Sequence, residues 1–299
     1  MKSMIKPRIK SDDILIGCFY VLLGLFSLLC LLPILMVISG SFSTETEIAV
    51  HGFSLLPQGF SLDTYNYVLS RQMNTLASAY GVTIFVTLVG TVLSVTITTC
   101  FAYVVSVKDF QHANKLAFFA YFTMLFSGGM LPWYLVCTRY YHLQDTLWGL
   151  ILPYCMNVFY MYLVRNYING IPYELTESAR IDGAGYFQTF VKVILPLSKA
   201  GIVTIVLFYA LTYWNDFYLP LMLVTDDKYF SMQYILYKMN ANIQYLATNS
   251  TGFGADHIAL PTQTVKMAIT CIAIGPIALV YPFVQKYFVK GVTVGALKG

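Results

Sequence analysis

The feature that most constrains the fold of this chain is a series of apolar runs, each long enough to cross a bilayer. The first, Ile14 to Ile38, holds no charged residue. About 20 mostly apolar residues are needed to cross the hydrocarbon core. Five further runs follow: Ala79 to Val107, Leu116 to Cys137, Leu147 to Val164, Ile202 to Val224 and Val265 to Phe288. The fourth is the weakest, because Pro153 interrupts it, although neighbouring helices can satisfy the backbone groups a proline frees. Charged residues make up 11% of the chain and hydrophobic ones 58%, against roughly 25% charged in a soluble domain. The expected fold is all-α, a polytopic membrane protein with six transmembrane helices.

Lys2, Lys6, Arg8 and Lys10 precede the first run, as in a secretory signal. The run is too long for a signal h-region of 7–15 residues, so a retained anchor is expected. With the N-terminus inside, the inner side holds thirteen Lys and Arg and the outer side five, namely Arg71, Arg139, Lys228, Lys238 and Lys266. By the positive-inside rule both termini and the 165–201 loop are then cytoplasmic. The net charge of +4 follows from that bias and points to no nucleic-acid partner. The six cysteines lie in or at the ends of the runs at no metal or redox spacing, so neither a disulfide framework nor a metal site is expected. No nucleophile–base pair, phosphate loop or dinucleotide fold is visible, and the chain is expected not to be an enzyme.

Two long segments face outward in this topology. Residues 39–78 mix turn formers (Ser39, Gly40, Gly52, Pro57, Gly59) with short apolar pieces and are expected to form a folded cap. Residues 225–264 carry Tyr229, Phe230, Tyr234, Tyr237 and Tyr245, then a Gly/Thr/Asn-rich tip from Asn249 to Gly254. Aromatics beside amides suit a surface that meets a carbohydrate-bearing protein; a tyrosine belt at the lipid interface fits the same composition. Residues 108–115 read as a plain cytoplasmic turn. No repeat or second soluble domain is seen.

The inner segment Tyr173 to Pro196 is charged and turn-forming. Pro172 suits the first turn of a helix, and Glu174 and Glu177 favour its positive end. Asp182-Gly183-Ala184-Gly185 breaks that helix, since glycine tolerates the backbone needed to reverse direction. A second short helix is expected over Tyr186 to Leu195, ending at Pro196. Leu175, Ala179, Ile181, Phe187, Phe190, Val191 and Ile194 give apolar faces; Glu177, Arg180, Asp182 and Lys192 give polar ones. Such a knob fits a cleft in a cytoplasmic partner, and an amphipathic loop lying on lipid has the same pattern.

Glu177-Ser178-Ala179, then Gly183, then Val193-Ile194-Leu195-Pro196 resembles the cytoplasmic loop signature of binding-protein-dependent ABC importer permeases. Two mild departures are Ser178 for the usual alanine and Val193 for the usual isoleucine. Phe126 to Pro132, Asp145 to Trp148, Trp214-Asn215 and the tail Gly291 to Gly299 resemble the sugar branch, a maltose-permease-like group. Within it they are similar to permeases for aldouronate, alginate or complex-glycan oligosaccharides. The resemblance covers essentially the whole chain. It implies a type I ABC importer permease fold: residues 1–75 as tail, first helix and outer segment, 76–290 as a five-helix core with a coupling loop at 168–200, and 291–299 as a cytoplasmic tail.

The resemblance also implies a mechanism. The knob would be the coupling helix seated in a groove of an ATPase subunit. Glu177 would pair with a basic residue there, with Ser178 beside it and Ala179 packed in the groove. Gly183 would permit the turn, and Leu195 and Pro196 would set the entry angle of the fifth span. ATP and Mg would sit on the two partner ATPase subunits, since no G-x-x-x-x-G-K-[ST] is present here. The remaining partners implied are a second homologous permease, an extracellular solute-binding lipoprotein, an oligosaccharide and membrane lipid, in a bacterial plasma membrane. The tail after Phe288 resembles tails that reach between ATPase subunits. In the outer segment, Tyr234, Tyr237, Asn240 and Asn242 are the implied binding-protein contacts.

For the substrate path, polar and aromatic residues within spans are the candidates: Tyr154, Asn157, Tyr160, Trp214 and Asn215, with Arg139 as a cation for an acidic substrate. Such groups face a cavity or glue helices together. Asp216, a carboxylate within a span, fits a hydrogen-bonding role. The alternative, an ion-coupled secondary transporter, predicts intramembrane charge pairs or discontinuous helices in inverted halves, and the sequence displays neither.

Overall fold

The computed structural model describes residues 11–249 and 263–276. The basic residues Lys2 to Lys10, the tip beyond Asn249, the second half of the run Val265 to Phe288, and the tail Gly291 to Gly299 lie outside the described residues. Among the described residues every regular element is helical. The chain divides into two compact units, 1–72 with 245–274, and 73–244 with 275–299.

The first unit holds α1 (Ser11–Ser41), α2 (Glu45–His51), α3 (Asp63–Arg71) and most of a helix over 263–276. The stretch Leu15–Ser41 is long and apolar enough to cross a membrane, and none of its most apolar window is buried. The cap expected over 39–78 is present but ends at α3. Phe42 lies 5.0 Å from the Tyr65 ring and 5.9 Å from Phe60, and the Tyr65 hydroxyl donates to Ser41 Oγ at 2.9 Å. The Glu45 carboxylate accepts the backbone N–H groups of Gln263 and Thr264 at 3.0 and 2.9 Å, and the Thr264 hydroxyl at 2.8 Å. A carboxylate there satisfies N–H groups that a helix start leaves unpaired and opposes the positive end of its dipole.

The second unit is built on α4 (Met73–Val104), about 48 Å long at 1.5 Å per residue. Every fourth residue along one face is small: Gly90, Ser94, Thr98 and Ala102. Such a stripe lets another backbone approach closely. The unit continues with α5 (Ala113–Leu125), α6 (Met130–Leu135), α7 (Val158–Asn169), α8 (Tyr173–Ile181), α9 (Tyr186–Thr189), α10 (Leu195–Leu197), α11 (Lys199–Trp214), α12 (Tyr218–Leu223) and the first part, to Gln244, of α13 (Met232–Asn249). Helix α11 packs on the small face of α4, and α7 supplies Met161, Val164 and Ile168 to the same core.

Three of the expected spans are not continuous helices. The run Leu116 to Cys137 breaks after Leu125, and the two pieces, Ala113–Leu125 and Met130–Tyr140, meet at 114°. Ser127-Gly128-Gly129 lies at the break, with Gly129 at φ 89°, and Pro132 follows. The run Ile202 to Val224 stops at Trp214 and resumes as α12, because the Asp216 carboxylate draws off the N–H groups of Tyr218 and Leu219 (3.0 and 3.3 Å). The fourth run is interrupted where Pro153 predicts: 3₁₀ turns over Leu147–Tyr154 precede α7 at a 51° bend. By length and composition the described residues give two unbroken spans, or up to five if each bent pair is one span. Discontinuous helices are therefore present after all, and their expected absence does not separate the importer from the ion-coupled alternative.

Candidate functional site: the helical hairpin

The hairpin begins at Pro172, after which α8 runs to Ile181 with Glu174 in its first turn. Its end is a Schellman closure: Ala184 N–H donates to the Ala179 carbonyl and Gly183 N–H to that of Arg180, both at 2.9 Å. This closure needs a left-handed residue at Gly183, and its φ is 85°. The expected turn at 182–185 is thus present.

The return strand of the hairpin differs from expectation. The α-helix covers only Tyr186–Thr189; a π-turn follows over Phe190–Ile194, and helix resumes over Leu195–Leu197. It therefore runs past Pro196 rather than ending there. The widened turn, with Leu195 N–H reaching back to the Phe190 carbonyl, lets the chain enter a residue that has no N–H to give. At Ser198, two residues beyond Pro196, the chain bends by 81° into α11.

The apolar residues of the hairpin divide between two faces. Thr189, Phe190 and Ile194 are buried in the unit. Leu175, Ile181, Phe187 and Val191 are exposed, Ile181 at 81% and Phe187 at 77%. Glu177, Ser178, Gly183 and Pro196 are also exposed, while Ala179 and Leu195 are half-buried. The hairpin thus presents large apolar side chains around a carboxylate, away from its own core; exposed apolar patches of this kind mark surfaces that meet another molecule or a membrane.

The turn after α4, read from sequence as plain, grips the hairpin. Asp109 pairs with Arg180, whose guanidinium lies 4.3 Å over the Tyr186 ring. Lys108 sits 4.2 Å over the Tyr173 ring. The hydrogen bond Arg180 donates to Asp109 holds the pKa of its guanidinium above its ordinary value.

The substrate-path candidates cluster at helix breaks. The Asn157 side chain accepts the N–H groups of Phe159 and Tyr160 (2.9 and 3.3 Å) as the cap of α7. Its backbone N–H donates to the Tyr209 hydroxyl at 2.8 Å. Tyr160 packs edge-on to Tyr209 at 4.9 Å. The Tyr154 hydroxyl donates to Asp216 Oδ1 at 3.3 Å. Trp214 closes α11, and the Asn215 amide donates back to the Leu211 carbonyl at 2.9 Å. Exposed Arg139, in the π-turn Val136–Tyr140, forms no ion pair among the described residues.

The segment expected as an aromatic outer loop contains α13. Phe217, Tyr237, Tyr234 and Phe230 form a ladder with centroid spacings of 5.0, 6.5 and 4.7 Å. Tyr237 and Asn242 are exposed, and Tyr234 and Asn240 half-buried. Asp145 secures the chain leading into the ladder. It accepts Thr225 N–H, Thr225 Oγ1 and Asp226 N–H at 2.6, 2.7 and 2.9 Å. The Thr225 hydroxyl and then the two backbone N–H groups hold the Asp145 carboxyl below its ordinary range.

Sequence reasoning missed the polar core of the unit. Tyr213 shares a 2.8 Å hydrogen bond with Ser94 and donates to the Ile151 carbonyl at 2.9 Å; Tyr209 shares one of 2.7 Å with Thr98. A Cβ on Gly90 would lie 2.7 Å from the Tyr213 ring. The signal was available: two tyrosines four apart on one run, facing small and hydroxyl residues four apart on another.

Long apolar helices, broken spans and an exposed hairpin describe a multi-pass membrane protein. Residues 3–294 match the family of binding-protein-dependent transport system inner membrane components, and the chain belongs to that family. It is 40% identical over 282 residues to Protein LplC of Bacillus subtilis (strain 168), covering 94% of each chain. It is 39% identical over 286 residues to the polygalacturonan/rhamnogalacturonan transport system permease protein YtcP of the same organism, covering 94% of this chain and 96% of the other. Among solved structures it is similar to a bacterial ABC transporter involved in the import of the acidic polysaccharide alginate. That match has a TM-score of 0.79 and 31% identity, and covers 95% of this chain and all of the other. The chain is a permease subunit of an ABC importer, a transport component rather than an enzyme. Its family works with a binding protein, an ATPase and a further permease, which sets aside the ion-coupled alternative.

Proposed function

We propose that this chain is one of two homologous permeases in an importer of uronate-bearing or related plant and algal oligosaccharides, with its hairpin as the ATPase-coupling element. The carrying observation is the hairpin itself, Schellman-closed at Gly183 with Leu175, Ile181 and Phe187 exposed around Glu177. Glu177, Ser178, Ala179 and Gly183 form its docking tip, and Leu195 and Pro196 lead into the bend at Ser198. Closure of two ATPase subunits moves the tip as a rigid body, and ATP and Mg act on those subunits. Both termini face the cytoplasm of a bacterial cell.

The sugar is delivered by an extracellular lipoprotein against the Tyr234–Tyr237 ladder, with Asn240 and Asn242 beside it. Tyr154, Asn157, Tyr160, Trp214 and Asn215 supply polar and aromatic groups at helix breaks, where a path can form without unpairing a helix interior. Exposed Arg139 suits a carboxylate on the sugar. The names of YtcP and of the alginate importer support an acidic saccharide.

The test is purification of the intact assembly from native membranes, with a binding screen of the co-purifying extracellular protein against uronate, neutral plant-wall and host oligosaccharides. Two ATPase subunits, a second permease and uronate binding are expected. A chain purified without any ATPase contradicts the importer role, and neutral-sugar binding alone contradicts the acidic substrate.

A further inference from the structure

The hairpin joins the rest of its unit covalently through α7 and through the bend at Ser198. Beside the packing of buried Phe190 and Ile194 in the core, it has a set of discrete ties to the end of α4 and the turn that follows. The Tyr103 ring stacks on Phe190 at 4.9 Å, and its hydroxyl donates to the Tyr186 carbonyl at 3.1 Å. Lys108 covers Tyr173, and Asp109 pairs with Arg180. Both halves of the hairpin are held, Tyr173 and Arg180 on α8, Tyr186 and Phe190 on the return. Tyr103, Lys108, Asp109, Tyr173 and Arg180 line a cavity of about 280 Å³, so these polar contacts are made at its rim, in addition to the apolar packing of Phe190 and Ile194.

We infer that Lys108 and Asp109 are positioning residues that make the hairpin and the end of α4 one rigid body, so that a push on the hairpin reaches α4 directly. This rests on the coupling role proposed above. The covalent route into α11 passes an 81° bend, where a push turns partly into bending. Helix α4 is unbroken for 32 residues, and the Tyr209–Thr98 and Tyr213–Ser94 bonds pin α11 to it along their length. A load delivered to the end of α4 therefore carries both helices together. Two charge-based contacts suit this task, because they fix register and orientation where little apolar area is buried.

The experiment uses spin labels at two exposed positions, Gln111→Cys in the turn and Glu174→Cys in the hairpin, with exposed Cys18, Cys30 and Cys100 replaced by serine. Distances are measured in the purified assembly without nucleotide and after trapping with Mg·ATP and vanadate. One narrow distance, unchanged between the two states, is expected. Asp109→Arg and Arg180→Asp should each broaden it, and the double exchange should narrow it again. A distance that shifts on trapping while the ATPase stays bound overturns the clasp alone, as does a double exchange as broad as the single ones. Absence of any ATPase from the assembly overturns the coupling role and the clasp with it.

Discussion

The hairpin and the α4–α11 core are held by opposite means. The hairpin exposes several large apolar residues and is tied to the end of α4 and its following turn by an ion pair, a cation–π contact, a hydrogen bond and one stacked ring. The core buries Tyr209 and Tyr213 and ties them by hydroxyl hydrogen bonds across a stripe of small residues. One region leaves large apolar side chains uncovered within its unit; the other is built so that two helices do not part. Changes in the core should therefore remove the protein, whereas changes in the hairpin should remove its work and leave the protein in the membrane.

The strongest way to break that contrast is Gly90→Leu. Its side chain meets the Tyr213 ring, and overpacking of about 3 kcal/mol should abolish accumulation of folded protein, as read by detergent-resistant yield. Tyr213→Phe should cost about 2 kcal/mol, since Ser94 and the Ile151 carbonyl lose their partner in a buried site, lowering the melting temperature. Gly183→Val should cost about 1.5 kcal/mol of left-handed strain. Space is open around Gly183, so membrane abundance should hold while ATPase retention and uptake fall. Gly183→Asn, which tolerates that backbone, should keep both. Uptake unchanged in Gly183→Val would erase the contrast.

The smallest effect concerns Asp145. Its carboxyl is held low, so its grip on Thr225 and Asp226 is in force above about pH 3.9, the unfolded value. The grip is lost as pH falls through the lower folded value. Limited proteolysis across 225–231 should stay slow through mild acid and accelerate below that value. Asp145→Asn should remove this step.

The two regions also differ in how far the sequence reveals them. The hairpin was legible because its parts are unusual in an apolar chain: acidic residues at a helix start, a glycine turn, a proline near the exit. Its partner surface in the turn after α4 was not, because Lys108 and Asp109 look like any solvated turn until the fold brings Tyr173 and Arg180 to them. The long apolar runs gave α1 to within three residues at each end, and α4 to within six at its start and three at its end. They overstated continuity elsewhere, since Ser127-Gly128-Gly129 and Asp216 break helices without lowering the apolar count enough to show. Asn157 and Asp216, noticed as polar groups at membrane depth, turn out to cap helix breaks. The helix α13 was hidden by aromatic composition that suits loops and lipid interfaces alike.

The most direct test places a photo-activatable cross-linker at Phe187 in the native assembly. Illumination should join this chain to an ATPase subunit, and the adduct should grow fainter in Gly183→Val. Cross-linking to lipid alone, with the ATPase present and undamaged, would contradict the account.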